Sequence, residues 1–145
     1  MATLIQKKPT ESLVLGHVPS KKSNSELLNI IQTRSINWRY VLNLKKISET
    51  NDEIISNWLN VSVKTFRSYK LKSDYKLSLK EHIYLLYKLF QHGIQVFGAV
   101  KEFNQWLNTK NFYFDDKNPN EYLSTVTGIG FIDDRLTGME YGDNV

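Results

Sequence analysis

Apolar side chains recur every three or four residues along most of this chain, and no strict apolar–polar alternation persists anywhere. That period predicts helices throughout and an all-α fold. Leu27, Leu28 and Ile31 mark a short first helix from Ser25, and Trp38, Val41, Leu42 and Lys45 a second that Ile47 closes. Asn51 stands as the N-cap of a third, with Asp52 and Glu53 where the helix dipole favours anions and Ile54, Ile55, Trp58 and Leu59 on the buried face. After a break at 60–62, the segment VKTFRSYKLK (63–72) reads as a compact helix with Val63, Phe66 and Tyr69 facing inward. The ladder Leu79, Ile83, Leu86, Phe90, Ile94, Phe97 predicts the longest helix, opened by a capping box at SLKE (78–81) and ended by Gly98. Leu85, Leu89 and Val96 lie beside that stripe and suggest a seam for a second copy. Val100, Phe103, Trp106 and Leu107 line the next helix, and NFYFDDK (111–117) reads as a loop or a short extended piece. Asn118, Pro119 and Glu121 start a short helix anchored by Leu123; Gly128 begins a last one, docked by Ile132, Leu136 and Met139.

Residues 1–24 hold two Lys pairs, two of the three prolines and no sustained periodicity, and are expected to form a flexible N-terminal arm. Charge is divided unevenly. Residues 1–76 carry 13 Lys+Arg and 6 Asp+Glu (13 − 6 = +7), and residues 77–145 carry 6 and 9 (6 − 9 = −3), which together give the net +4. A basic first half and an acidic second half point to two different partners, the first of them anionic. With no cysteine, disulfides and thiolate metal sites are excluded. No apolar run has the length of a membrane span and the start lacks the apolar segment of a signal peptide, so a cytoplasmic location is expected.

Catalysis has little support. His17, His82 and His92 match no metal-ligand spacing. His82 and His92, ten residues apart on one helix, stand about 15 Å from each other and read as surface histidines. Asp133 and Asp134 diverge by about 100° around a helix, which suits a solvated face better than a shared cation. TGIG (127–130) has neither the Lys-Ser/Thr nor the preceding strand of a phosphate loop. No catalytic residue, metal site or cofactor is therefore expected.

DEIISNWLNVSVKTFRSYK (52–70) has the layout of a helix-turn-helix: an apolar helix, a tight turn and a short second helix rich in Lys, Arg, Ser and Thr. Ser62, Lys64, Thr65, Arg67, Ser68 and Lys70 are the candidate DNA-binding side chains, with Arg67 the candidate for a bidentate contact to guanine. The bland alternative is a helical hairpin with a solvated basic face.

Leu77-Ser78, Phe97-Gly98, Trp106-Leu107, Pro119, Thr125, Gly128, Ile132, Leu136 and Gly142, in that order and spacing, resemble the toxin-binding domain of the Xre/MbcA/ParS antitoxins. The stretch LNVSVKTF (59–66) is similar to the turn and second helix that Xre-type antitoxins place before that domain. Three features depart from the family pattern. Phe103 stands where the family usually has Ala, NFYFDDKN replaces a Gly-containing loop, and Arg67 comes one position before the family's Arg, where this chain has Ser68. The resemblance implies a helix-turn-helix DNA-binding-like domain at 25–76 and a helical toxin-binding and dimerisation domain at 77–145. It also implies a RES-domain, NAD-targeting toxin as partner, autorepression through operator DNA and a homodimer. Phe97, Trp106, Ile132 and Leu136 read as core. The candidate toxin-binding residues are therefore Phe131, Asp134, Arg135, Met139 and Tyr141, of types that interfaces favour or that carry charge near the C-terminus. Two other readings compete: a helix-turn-helix regulator without a toxin, dimerising through its C-terminal helices, and an inhibitor whose helix-turn-helix is vestigial.

Overall fold

A computed structural model describes residues 23–142, and the fold is all-α, with no strand among the described residues. Seven α-helices follow in order: α1 (Asn24–Thr33), α2 (Trp38–Ser48), α3 (Asp52–Trp58), α4 (Val63–Ser68), α5 (Leu77–Phe97), α6 (Val100–Leu107) and α7 (Val126–Glu140). Short 3-10 turns span Tyr69–Leu71, Phe112–Phe114 and Pro119–Tyr122. The arm expected over 1–24, and His17 with it, lies outside the described residues apart from Ser23 and Asn24, which cap and open α1.

Local chemistry sets most boundaries. Ser23 and Glu26 form a reciprocal capping box on α1, and the Asn37 and Asn51 side chains accept from backbone N–H groups at the starts of α2 and α3. Gly98, at φ 87°, takes the left-handed conformation that ends α5. Two expected starts are displaced. The box at Ser78 does not form, because α5 begins at Leu77; its entry is held instead by a Lys80–Asp74 ion pair at 2.9 Å and by Tyr75, whose buried hydroxyl donates to the Tyr69 carbonyl at 3.0 Å. The last helix begins at Val126, capped by Thr125, whose hydroxyl accepts from the Gly128 N–H at 2.9 Å. Gly128 is needed for a close approach: a Cβ there would lie 1.9 Å from the Tyr122 carbonyl oxygen.

α5 is the axis of the molecule. α1, α2, α6 and α7 all pack against it, and one continuous cluster of buried apolar residues runs from Ile31 to Leu136. Four of the six ladder residues from the sequence pattern, Ile83, Leu86, Phe90 and Ile94, are joined in the buried set by Tyr84 and Leu89, while Leu79, Leu85, Tyr87, Val96 and Phe97 pack partly against it. Leu89 therefore belongs to the core, and Leu85 and Val96 are covered in part by this chain's own helices. Polar bonds tie the first half to the second. The Trp58 indole N–H donates to Asn120 Oδ1 at 2.6 Å, Asn60 Nδ2 to the Ser124 carbonyl at 2.6 Å, and Asn104 Nδ2 to the Ser48 carbonyl at 2.8 Å. No helix among the described residues is long and apolar enough to cross a membrane.

The unusual Phe103 has a structural counterpart on α5. Its ring is fully buried between Phe90, Phe97 and Trp106, and it lies over Gly93, where an added Cβ would come within 2.4 Å of the ring. The absent side chain at 93 makes room for the ring at 103. Gly93→Ala should therefore destabilise the protein by about 1–3 kcal/mol through overpacking, and combining it with Phe103→Leu should cost less than the sum of the two single changes. Chemical denaturation of the four proteins in the cycle reads the coupling; strict additivity would contradict it.

Candidate functional site

α7 has three sides with different tasks. Gly128, Ile129, Ile132 and Leu136 are buried against the core. A second side is fixed by His92 of α5, whose Nδ1 bonds Asp133 Oδ1 at 2.6 Å and whose Nε2 bonds Glu140 Oε1. Asp133 is thus an anchor and not part of a solvated face, and His92, its side chain 13% exposed, is not a surface histidine. Nor is His82 free on the surface: its Nε2–H donates to the Leu123 carbonyl at 2.9 Å, just ahead of α7.

The third side faces outward. Phe131, 47% exposed, packs edge-on against Phe114 (5.1 Å) and Tyr122 (5.4 Å). One turn on, the Arg135 guanidinium lies 3.6 Å above the Tyr113 ring, a cation–π contact that ties α7 to the 111–117 loop. Asp134 is exposed beside them. Spacings of three and four residues put Phe131, Asp134 and Arg135 on one face. The other two candidates stand apart: Met139 packs partly against the core, and Tyr141, 86% exposed, sits just past the helix end.

The loop at 111–117 completes this face; the candidate residues read from the sequence did not include it, and residues 110–124 stood only as the alternative place for the inhibitory surface. Phe114 is buried beneath Phe131 and Trp106, the Asn111 side chain accepts from the Tyr113 N–H, and Asn111 pairs with Lys117 in an isolated bridge. Phe112 is left 85% exposed. The density of aromatics in NFYF was the available signal. Its meaning depends on Arg135 and Phe131, which no local pattern links to it.

On the opposite half, α3 and α4 are joined by a four-residue turn with Asn60 at φ 59°. Phe66 and Tyr69 face inward as expected. Of the six candidate residues, three serve the helix itself. The Ser62 hydroxyl accepts from the Thr65 N–H and donates to the Thr65 hydroxyl, and Ser68 donates to the Thr65 carbonyl. Lys64, Arg67 and Lys70 are exposed, but Arg67 Nε donates to Asp52 Oδ2 at 2.9 Å, and Lys45 pairs with the same carboxylate at 2.7 Å. The hydrogen bonds from Lys45 and Arg67 hold the Asp52 carboxyl below its usual pKa.

Residues 92–142, from the clamping histidine to the end of the described chain, match the family model of the antitoxin Xre/MbcA/ParS C-terminal toxin-binding domain. A search of curated proteins finds no match.

The clamp has a pH signature. Burial pushes the His92 pKa down, but the hydrogen bonds and charges of Asp133 and Glu140 outweigh it and hold the group above its ordinary value. A folded-state pKa raised above the unfolded one contributes stability that is complete below about pH 6.5 and is lost as pH rises through the raised value. His92→Gln should accordingly destabilise the protein by about 1–2 kcal/mol near pH 6 and by less near pH 9, both carboxylates being partly exposed. Urea denaturation of wild type and variant at the two pH values gives the difference; an equal loss at both would exclude a charged clamp.

Proposed function

We propose, for a chain whose residues 92–142 match the Xre/MbcA/ParS toxin-binding domain model, that the outward face of α7 neutralises a cognate RES-domain toxin. The match supports an antitoxin function and a toxin partner. The observation that carries the finer reading is the face on which exposed Phe131 and Tyr113 flank the half-buried Arg135, built on a helix whose other sides are clamped. Interfaces favour such groups, and a face already fixed in the free protein loses little entropy on binding. A toxin that acts on NAD handles an anionic dinucleotide and needs a basic cleft, which the acidic second half suits electrostatically. The antitoxin would act in the cytoplasm by blocking access to that cleft, with no catalytic residue or cofactor of its own.

Autorepression of the operon through α3 and α4 belongs to the same reading, with Lys64 and Lys70 meeting phosphates and two copies reading the two half-sites of an operator. The pairing of Arg67 with Asp52 favours a second version, in which the basic helix no longer contacts DNA and the protein only inhibits.

Two measurements separate these versions. In co-expression with the RES-domain toxin, Phe131→Ala combined with Arg135→Ala should weaken binding by tens-fold or more and abolish growth rescue while helicity is unchanged. Full rescue by that variant would move the inhibitory surface elsewhere. Wild-type protein should shift its own promoter at low salt, and Lys64→Ala with Lys70→Ala should lower the log–log salt slope by about 0.9 for each contact removed. No shift at low salt would leave the inhibition-only version.

A further inference from the structure

We propose that Phe112 is the anchor by which this chain grips its toxin, entering an apolar socket on the partner whose rim carries Lys or Arg opposite Asp115 and Asp116. This rests on the toxin-binding reading of the α7 face and extends it to a loop that departs from the family pattern.

Phe112 is 85% exposed, and its one ring neighbour is Tyr113 at 6.1 Å, so it contributes little to the fold. A lone exposed aromatic is ordinary; the backbone beneath this one is not. Asp115 and Asp116 both stand at positive φ, 53° and 59°, a conformation adverse to side-chain-bearing residues and tolerated by Asp better than by most. The hydrogen bonds around them are many for so short a segment. The Phe114 and Asp116 N–H groups both donate to the Asn111 carbonyl at 3.0 Å, Asn111 N–H to the Lys117 carbonyl at 3.1 Å, and Lys117 N–H to the Phe114 carbonyl at 2.9 Å. Below the loop, the Tyr122 hydroxyl donates to the Phe114 carbonyl at 3.3 Å. The chain accepts an adverse backbone to hold Phe112 outward on a fixed base, and the ordering that binding would otherwise demand is already in place.

Position and charge identify the occupant. Tyr113 stacks under Arg135 and Phe114 lies under Phe131, so Phe112 extends the proposed toxin-binding face and does not form a separate patch. Asp115 and Asp116 are exposed at the loop tip, in a half of the chain that carries 6 Lys+Arg against 9 Asp+Glu. Lys110 and Lys117 are exposed at the ends of the loop, so its carboxylates are confined to the tip, and an apolar side chain on such a loop complements an apolar pocket with a basic edge opposite that tip.

The test uses purified full-length protein and purified RES-domain toxin, with association and dissociation rates followed across salt concentrations. Phe112→Ala should weaken binding about 30-fold, chiefly through faster dissociation, with circular dichroism and urea midpoint unchanged. Asp115→Asn with Asp116→Asn, which keeps residues tolerant of the left-handed backbone, should slow association several-fold and flatten its salt dependence. Phe131→Ala with Arg135→Ala serves as reference. Should the reference variant lose affinity while Phe112→Ala stays within about twofold of wild type, the anchor is overturned and the α7 reading survives. An unchanged salt dependence in the Asn pair overturns the basic rim. Absence of binding by the wild-type chain overturns both readings together.

Discussion

Everything in this molecule leans on α5. Four helices, α1, α2, α6 and α7, pack against this one, which is at least half-covered along most of its length, so they are placed by how each fits it. A close fit on this helix is at Gly93, where a missing Cβ admits the Phe103 ring, and from there rings continue outward through Trp106 and Phe114 to Phe131. The exposed aromatic face is the surface end of a packed column that begins in the core.

The same helix bears on both proposed binding surfaces. His92 holds α7 by its second side, and Phe90 packs against Trp58 of α3 at 5.5 Å. Trp58 in turn donates to Asn120, two residues before Tyr122, which supports Phe131. A displacement at the α7 face and one at α3 thus meet in shared side chains.

Where structure was written locally, the chain could be read directly. Asn51, Gly98 and the Asn118–Glu121 start carry their meaning in adjacent residues, and the ladder from Leu79 to Phe97 states its own period. The failures came where a distant partner decided. Ser78 looked like a cap because the motif is local, while the helix entry was set by Tyr75 reaching back to Tyr69. His92 and Asp133 looked like surface groups because their bond spans 41 residues and its second carboxylate 48. Arg67 looked free to read a base, and nothing in its own helix announced Asp52. On the candidate face the types Phe131 and Arg135 were legible, but the loop beneath them was not, since two left-handed Asp residues leave no periodic trace.

The single core also constrains how such a protein can change. Recombination moves whole segments, but a cut at the junction of the two halves would split α5 from the helices that complete it, and neither fragment would keep an intact interior. Grafting the last third from a relative would bring an unfamiliar residue to face Gly93 or His92. A lineage built this way acquires a new partner more readily by single changes at the rim than by exchanging modules, and its two surfaces are inherited together.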